Sequence, residues 1–272
     1  MKIILLILIN IIEISSYILP QTFREWTIIG IDKHINNQMP YHYNIGNLPM
    51  VLWYNKTNPQ TIINSCNKHL GNTLKDSYII DNELICPFHK KSYTNDDNIG
   101  EIQKRNGLIW WSYKSFKKHP PKFLNEDNNN YHLNVRGDFI SIILNLIGDF
   151  NGNEETCKIH KKKLLIKKER EFIIYKYPYT LIYNNLYMIN VIPIDESNSH
   201  FYLTTLKKLP LNYNDLNKFK TYIENRCNEF RFKYLLLGES NSYINKVYKL
   251  YNEYMYPNDI TIKYFLTNKR YY

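Results

Sequence analysis

Two cysteine–histidine pairs hold the greatest concentration of reactive side chains in this 272-residue chain. Cys66 precedes His69 with two residues between them, Cys86 precedes His89 in the same way, and 16 residues separate the pairs. Two thiolates and two neutral imidazoles can hold a tetrahedral zinc ion. They can equally ligate a two-iron, two-sulfur cluster, with the thiolates on one iron and the imidazoles on the other. Spacing leaves both open, beside a third reading in which the cysteines are core residues and the histidines surface ones. The four cysteines of the chain are too few for a disulfide scaffold. Glycine-rich phosphate loops and Ser/His/Asp hydrolase motifs are absent from the sequence.

Ligands at such spacing need loops held at fixed positions, and the surrounding residues predict strands to hold them. From Trp26 to Tyr113, short apolar or alternating runs are broken by turn residues: WTIIGI at 26–31, PMVLWY at 49–54, TIIN at 61–64, SYII at 77–80, ELIC at 83–86 and GLIWWSY at 107–113. Runs this short, rich in Ile, Val, Trp and Tyr, read as strands of a small all-β module. Each Cys–His pair follows one strand and falls in a loop, as two facing loops gripping one centre require. Pro87, directly after Cys86, disfavours the helix on which zinc fingers usually bring their second pair.

In this order, His69-Leu70-Gly71, Leu74, Cys86-Pro87-Phe88-His89 and Gly107-Leu108-Ile109-Trp110 resemble the Rieske domain of the Rieske non-haem iron oxygenases. The sterol-desaturase-like and pheophorbide-oxygenase-like branches are the most similar, and Trp26 and Leu52-Trp53 resemble their opening strands. The family loops read C-x-H-x-G and C-P-[FY]-H, so Cys66 and His69 have one intervening residue more than the pattern. The resemblance implies a [2Fe-2S] cluster on Cys66, His69, Cys86 and His89. Such a cluster transfers single electrons; thiolates stabilise the ferric iron, and imidazoles raise the potential relative to an all-cysteine cluster. His69 and His89 would form the exposed tip where electrons leave, and their deprotonation would couple potential to pH. The resemblance also implies an electron-donating reductase or ferredoxin, an apolar small-molecule substrate and, as in many family members, a homo-oligomer.

The family adds a mononuclear Fe(II) in a second domain, held by two histidines and a carboxylate, through an N-x3-D-x2-H-x4-H motif. Asn145 and Asp149 fall in that frame, with Asp149 at the electron-bridging position, the one catalytic residue the resemblance implies. The two histidine positions, however, read Gly152 and Cys157. Shifting the frame to use His160 places Glu155 and Gly152 at the first His and the Asp. Glu224 lies nearest to the expected late carboxylate, although a solvated helix face explains it equally well. The mononuclear iron is therefore doubtful on the residues themselves. Three functions follow: an oxygenase-like oxidoreductase acting on an apolar substrate, an electron-transfer or redox-sensing protein without mononuclear iron or oxygenase activity, and a non-enzymatic binding module of the same fold.

Beyond the module, residues 117–131 are polar, proline-containing and asparagine-rich, and read as a linker. Ile140, Ile143, Leu144 and Ile147 then recur at helical spacing within 138–148. Strand-like stretches follow at 171–194 and 200–206. Two helical stripes close the chain, one on Leu216, Phe219, Ile223 and Phe230, the other within Tyr243–Tyr251. The predicted architecture is an N-terminal all-β Rieske iron–sulfur domain at 22–116 and an α+β helix-grip-like domain at 132–272, which the resemblance describes as a degenerate oxygenase catalytic domain. Ahead of them, residues 1–21 are strongly apolar. Ile3–Leu19 reads as a membrane anchor, a signal peptide or a buried first helix, with Glu13 costly in lipid. The expected location is membrane-associated through this segment, or cytoplasmic.

Hydrophobic residues at 44% and aromatic ones at 15% exclude a disordered tether. The net charge of +10 would ordinarily suggest a polyanionic partner. The basic run of Lys158, Lys161, Lys162, Lys163, Lys167, Lys168 and Arg170 has no interleaved aromatic platform, however. It reads as a solvated face, and no nucleic acid is expected as partner. Alanine is absent while tyrosine occurs 25 times, as an AT-rich coding sequence would give, which weakens any argument from charge alone.

Overall fold

The computed structural model describes residues 25–66, 73–113, 117–121, 128–148, 157–168, 171–195, 197–205, 211–230 and 246. The apolar segment at 1–21 and the stripe within Tyr243–Tyr251 lie outside them, as do His69 and Asp149. No described helix is long and apolar enough to cross a membrane.

Residues 25–113 form three antiparallel sheets of three strands each. The first joins β1 (Thr27–Ile31), β8 (Glu101–Arg105) and β9 (Leu108–Ser112) in the order β1-β9-β8. β2 (Tyr41–Ile45), β3 (Leu48–Asn55) and β4 (Asn58–Ile63) make the second, and β5 (Tyr78–Ile80), β6 (Glu83–Ile85) and β7 (Ser92–Tyr93) the third. Every residue of β1 and β9 is buried. This is why their sequences run continuously apolar instead of alternating. Gly46-Asn47, Asp81-Asn82 and Asn106-Gly107 join β2–β3, β5–β6 and β8–β9, and all six residues have positive φ. Two such central residues give the hairpin turn whose twist matches its strands, and Asn, Asp and Gly are the residues that tolerate it.

The second region is one seven-stranded antiparallel sheet with two helices. Its strands are β10 (Asn129–Arg136), β11 (Cys157–His160), β12 (Lys163–Lys168), β13 (Glu171–Lys176), β14 (Thr180–Tyr183), β15 (Tyr187–Pro193) and β16 (Asn198–Thr205), in the spatial order β10-β16-β15-β14-β13-β12-β11. Helix α1 (Phe139–Gly148) carries the predicted stripe, and Ile140, Ile143, Leu144 and Ile147 are all buried. Asp138 starts this helix. Its carboxylate accepts the Ser141 backbone N–H at 2.8 Å and the Ser141 hydroxyl at 2.7 Å, satisfying a donor that the first turn leaves open. Asn212 does the same for α2 (Tyr213–Phe230), accepting the Asp215 N–H at 2.8 Å. Gly137, with φ of +153°, lets α2 lie close; a Cβ there would stand 3.1 Å from the Cys227 sulfur.

Three expectations change at the junction. Of the stretch expected as a linker at 117–131, the described residues 117–121 are fastened to the first region. Trp26 Nε1 donates to the Lys117 carbonyl at 2.8 Å, and Arg105 to the Pro120 carbonyl at 2.6 Å. Its last residues, 129–131, already belong to β10. The basic run at 158–168 is not merely a polar face but the edge hairpin β11–β12, with Leu164 and Ile166 buried. One apolar core, including Trp110 and Trp111 from β9 together with Phe139, Tyr175 and Phe201, runs through both regions. Gly46 and Asn47 also donate backbone hydrogen bonds to the carbonyls of Pro193 and Ile194, at 2.7 and 2.9 Å.

Candidate cluster site and sheet pocket

Cys66 lies just beyond β4 and Cys86 just beyond β6, and the residues around each explain its position. Asn64 ties together the two ends of the first loop. Its backbone N–H reaches the Pro49 carbonyl at 2.8 Å, and its side-chain oxygen accepts the Leu74 N–H at 2.8 Å. The second loop is closed by Cys86 N–H to the Lys91 carbonyl (2.9 Å) and Lys90 N–H to the Cys86 carbonyl (3.1 Å), with Lys90 at φ +56°. This turn sends Cys86 inward and leaves Phe88 and His89 exposed.

Both thiols are fully buried, at 0% exposure, in one small cluster with Val51, Trp53, Ile62, Leu74, Leu84 and Tyr93. This cluster is separate from the large shared core. Trp53 Nε1 is also buried there, with no hydrogen-bond partner among the described residues. Cations surround the exposed turn: Lys90 lies 5.2 Å from the Tyr78 ring and Lys91 4.9 Å from the Tyr93 ring, with Asp97 3.6 Å from Lys91.

The residues considered for a second iron do not gather. Asn145 is buried on α1, its side-chain nitrogen 2.8 Å from the Ser141 carbonyl and 3.5 Å from the Cys227 sulfur. Cys157 opens β11 opposite Ile166, and His160 stands exposed at the far end of the same hairpin. Glu224, on α2, accepts the Arg136 N–H at 2.9 Å and lies 3.9 Å from Lys220, so it fastens α2 to the end of β10. Gly152 and Glu155 are outside the described residues. Among those that are described, no group of three His, Cys, Asp or Glu side chains is placed to share a metal ion.

Two features escape sequence reasoning. The first is a histidine pair. His132 sits on β10 with its Nε2 3.0 Å from His200 Nδ1 on β16, and Tyr202 stacks on the His132 ring at 4.6 Å. Burial, reinforced by nearby His34, lowers the His132 pKa to about 4. Burial likewise lowers that of His200 to about 4, with His132 adding to the shift and the Asn44 backbone opposing it.

The second is a cavity of about 530 Å³ between the sheet and α2. Leu181, Ile189 and Leu203, direct partners across β14, β15 and β16, form the inner row of its floor. Ile173, Tyr183 and Tyr187 form the next row, and Leu216, Phe219 and Tyr222 of α2 roof it. The floor strands β14, β15 and β16 are buried on both faces, so nothing local says which face meets α2.

Residues 25–114 match the family model of the Rieske [2Fe-2S] domain. Among solved structures, dicamba monooxygenase bound to dicamba superposes with a TM-score of 0.64 at 12% identity, covering 86% of this chain and 96% of that one. An oxygenase–ferredoxin complex of carbazole 1,9a-dioxygenase gives 0.63 at 12% identity, covering 90% and 92%. Dicamba monooxygenase with non-haem iron and dicamba gives 0.63 at 12% identity, covering 85% and 98%. At such identities the likeness establishes the fold, and it does not single out the sterol-desaturase-like or pheophorbide-oxygenase-like branch. No curated protein matches the chain by sequence.

Proposed function

Residues 25–114 being a Rieske [2Fe-2S] domain in a chain with the fold of Rieske oxygenases, we propose that this protein is an oxidoreductase component. It takes single electrons from a ferredoxin or reductase and passes them towards oxidation of an apolar substrate. Cys66, His69, Cys86 and His89 are the proposed ligands of the cluster. The observation that carries this reading is the placement of two fully buried thiols in one small apolar cluster, with an imidazole exposed on the turn after the second.

The donor set fits the group. Thiolates belong on the buried iron and imidazoles on the outer one, and the unpartnered Trp53 N–H suits a sulfur acceptor. When bound, such a cluster supplies one-electron transfer near neutral potentials. The chain's own residues do the rest. Val51, Leu74 and Leu84 exclude water from the thiol side, and His89 offers an exposed contact. Lys90 and Lys91 beside it favour an acidic donor. The carbazole dioxygenase complex contains a ferredoxin, which supports a donor of that class here. The sheet pocket, walled mostly by aliphatic and aromatic side chains, is the proposed place for an apolar substrate.

A second reading is favoured by the exposed His160 and the engaged Glu224. With no triad assembled from those residues, no chemistry is assigned to a second iron. The chain then serves electron transfer or redox sensing without oxygenase activity.

One sample tests both. The full chain, produced anaerobically with iron and sulfide and reduced with dithionite, should give a rhombic Rieske-type EPR signal with about two irons and two sulfides per chain. About three irons per chain with the same two sulfides would favour the oxygenase arm. Zinc or no metal, with no signal, would overturn the proposal.

A further inference from the structure

We infer that the sheet pocket selects a hydrophobic amine, an apolar molecule carrying a positive charge, over a hydrophobic carboxylate. This rests on reading that pocket as the substrate site and names the class of molecule it takes.

The pocket is graded in polarity. Its inner floor is aliphatic, and the next row outward brings Tyr183 and Tyr187, whose rings lie 6.5 Å apart. Beyond them on the same face, two residues before Ile173 along β13, stands Glu171. Tyr183 donates its hydroxyl to the Glu171 carboxylate at 2.8 Å. Burial, and then this carboxylate, raise the Tyr183 pKa, so the phenol stays a donor and adds no charge of its own. From the roof, Asp215 in the first turn of α2 is the other acidic lining residue.

The chain as a whole carries 35 Lys and Arg against 25 Asp and Glu, yet among the described residues no Lys, Arg or His lines this cavity. A basic protein with an acid-only pocket presents a local field opposite to its global one. An ammonium group at the mouth gains two carboxylates and the faces of two tyrosines, while its apolar tail lies along the inner row. A carboxylate there meets two like charges and, among the described lining residues, no cation. Asp215 also complements the helix N-terminus. Glu171 opens β13 opposite Lys168 of β12 in the sheet register, and its carboxylate takes the Tyr183 hydroxyl.

The test uses the full chain and the uncharged fluorescent probe N-phenyl-1-naphthylamine, displaced by decylamine or by decanoate below their micellar ranges. Decylamine should displace the probe at about tenfold lower concentration than decanoate, as two partly exposed ion pairs with aromatic support would give. Glu171→Gln combined with Asp215→Asn should shrink that preference to about twofold or less, with each displacement scaled by the probe's affinity for the same variant. Equal displacement, or a preference for decanoate, would overturn the charge selection while leaving the pocket as a binding site. A preference surviving in the double variant would place its origin elsewhere and overturn the inference. Failure of the probe to bind at all would remove the pocket reading and the inference together.

Discussion

The two candidate sites are built on opposite plans. Around Cys66 and Cys86, strands of three to six residues end in loops, and a small apolar cluster buries both thiols. In the second region, seven strands and a long helix hold a cavity open, with the polar groups at its mouth. On the proposed function the first plan fixes a few donor atoms for a small inorganic group, and the second a shape and a field for an organic molecule. Cys66 and Cys86 share one buried cluster, whereas Asn145, Cys157, His160 and Glu224 are spread over α1, the β11 hairpin and α2. Donors on two short loops are supported locally, whereas an iron triad drawn from α1, the β11 hairpin and α2 depends on three elements staying in register.

Substitutions can break this contrast, and the largest effect belongs to the cysteines. Cys66→Ser should abolish the visible absorbance and EPR signal of the loaded protein, while Cys157→Ser should leave both intact. Loss of the signal in both variants would mean the second region shares in binding the cluster. The next effect is on stability against pH. The His132–His200 pair is favoured in its neutral form, so its contribution is present above about pH 6.5 and is lost as pH falls through about 4. A single shift of this size corresponds to about 3 kcal/mol. Between pH 7 and pH 4.5 the urea midpoint of the wild type should therefore fall further than that of His200→Gln. Parallel curves would show that the pair does not govern acid sensitivity.

Smaller still, Asp138→Ala removes the cap of α1 and should cost about 1–2 kcal/mol in denaturant titration, with the cluster signal unchanged. A simultaneous loss of cluster would contradict the separation of the two plans. Finally, Trp53→Phe removes one buried donor beside the thiols. A single hydrogen bond of this kind should lower the cluster potential by on the order of 40 mV in an EPR-monitored redox titration. An unchanged potential would assign Trp53 to packing alone.

The sequence exposed most of the first plan because its information is local. Cys86-Pro87-Phe88-His89 occupies one turn, and hairpins announce themselves through Asn-Gly and Asp-Asn pairs. α1 was equally legible from the spacing of Ile140, Ile143, Leu144 and Ile147. The edge hairpin β11–β12 was not, because lysines on its exposed face hide the alternation that buries Leu164 and Ile166. Nor could local patterns show His132 meeting His200 across 68 residues, or the Lys117 and Pro120 carbonyls serving as acceptors for Trp26 and Arg105. Those contacts arise from sheet register and chain reversal, which a window of neighbouring residues does not contain.

The backbone bonds from Gly46 and Asn47 to Pro193 and Ile194 set the size of the smallest autonomous piece. A fragment cut out at the limits of the family match would leave those two amides without acceptors and deprive Glu25 of Lys162, which it holds at 3.0 Å. It would also lay bare the side of Trp110 and Trp111 that the sheet covers. The segment that matches the family model shares one apolar core with the seven-stranded sheet, so on the proposed function the turn carrying His89 and the pocket belong to one connected fold.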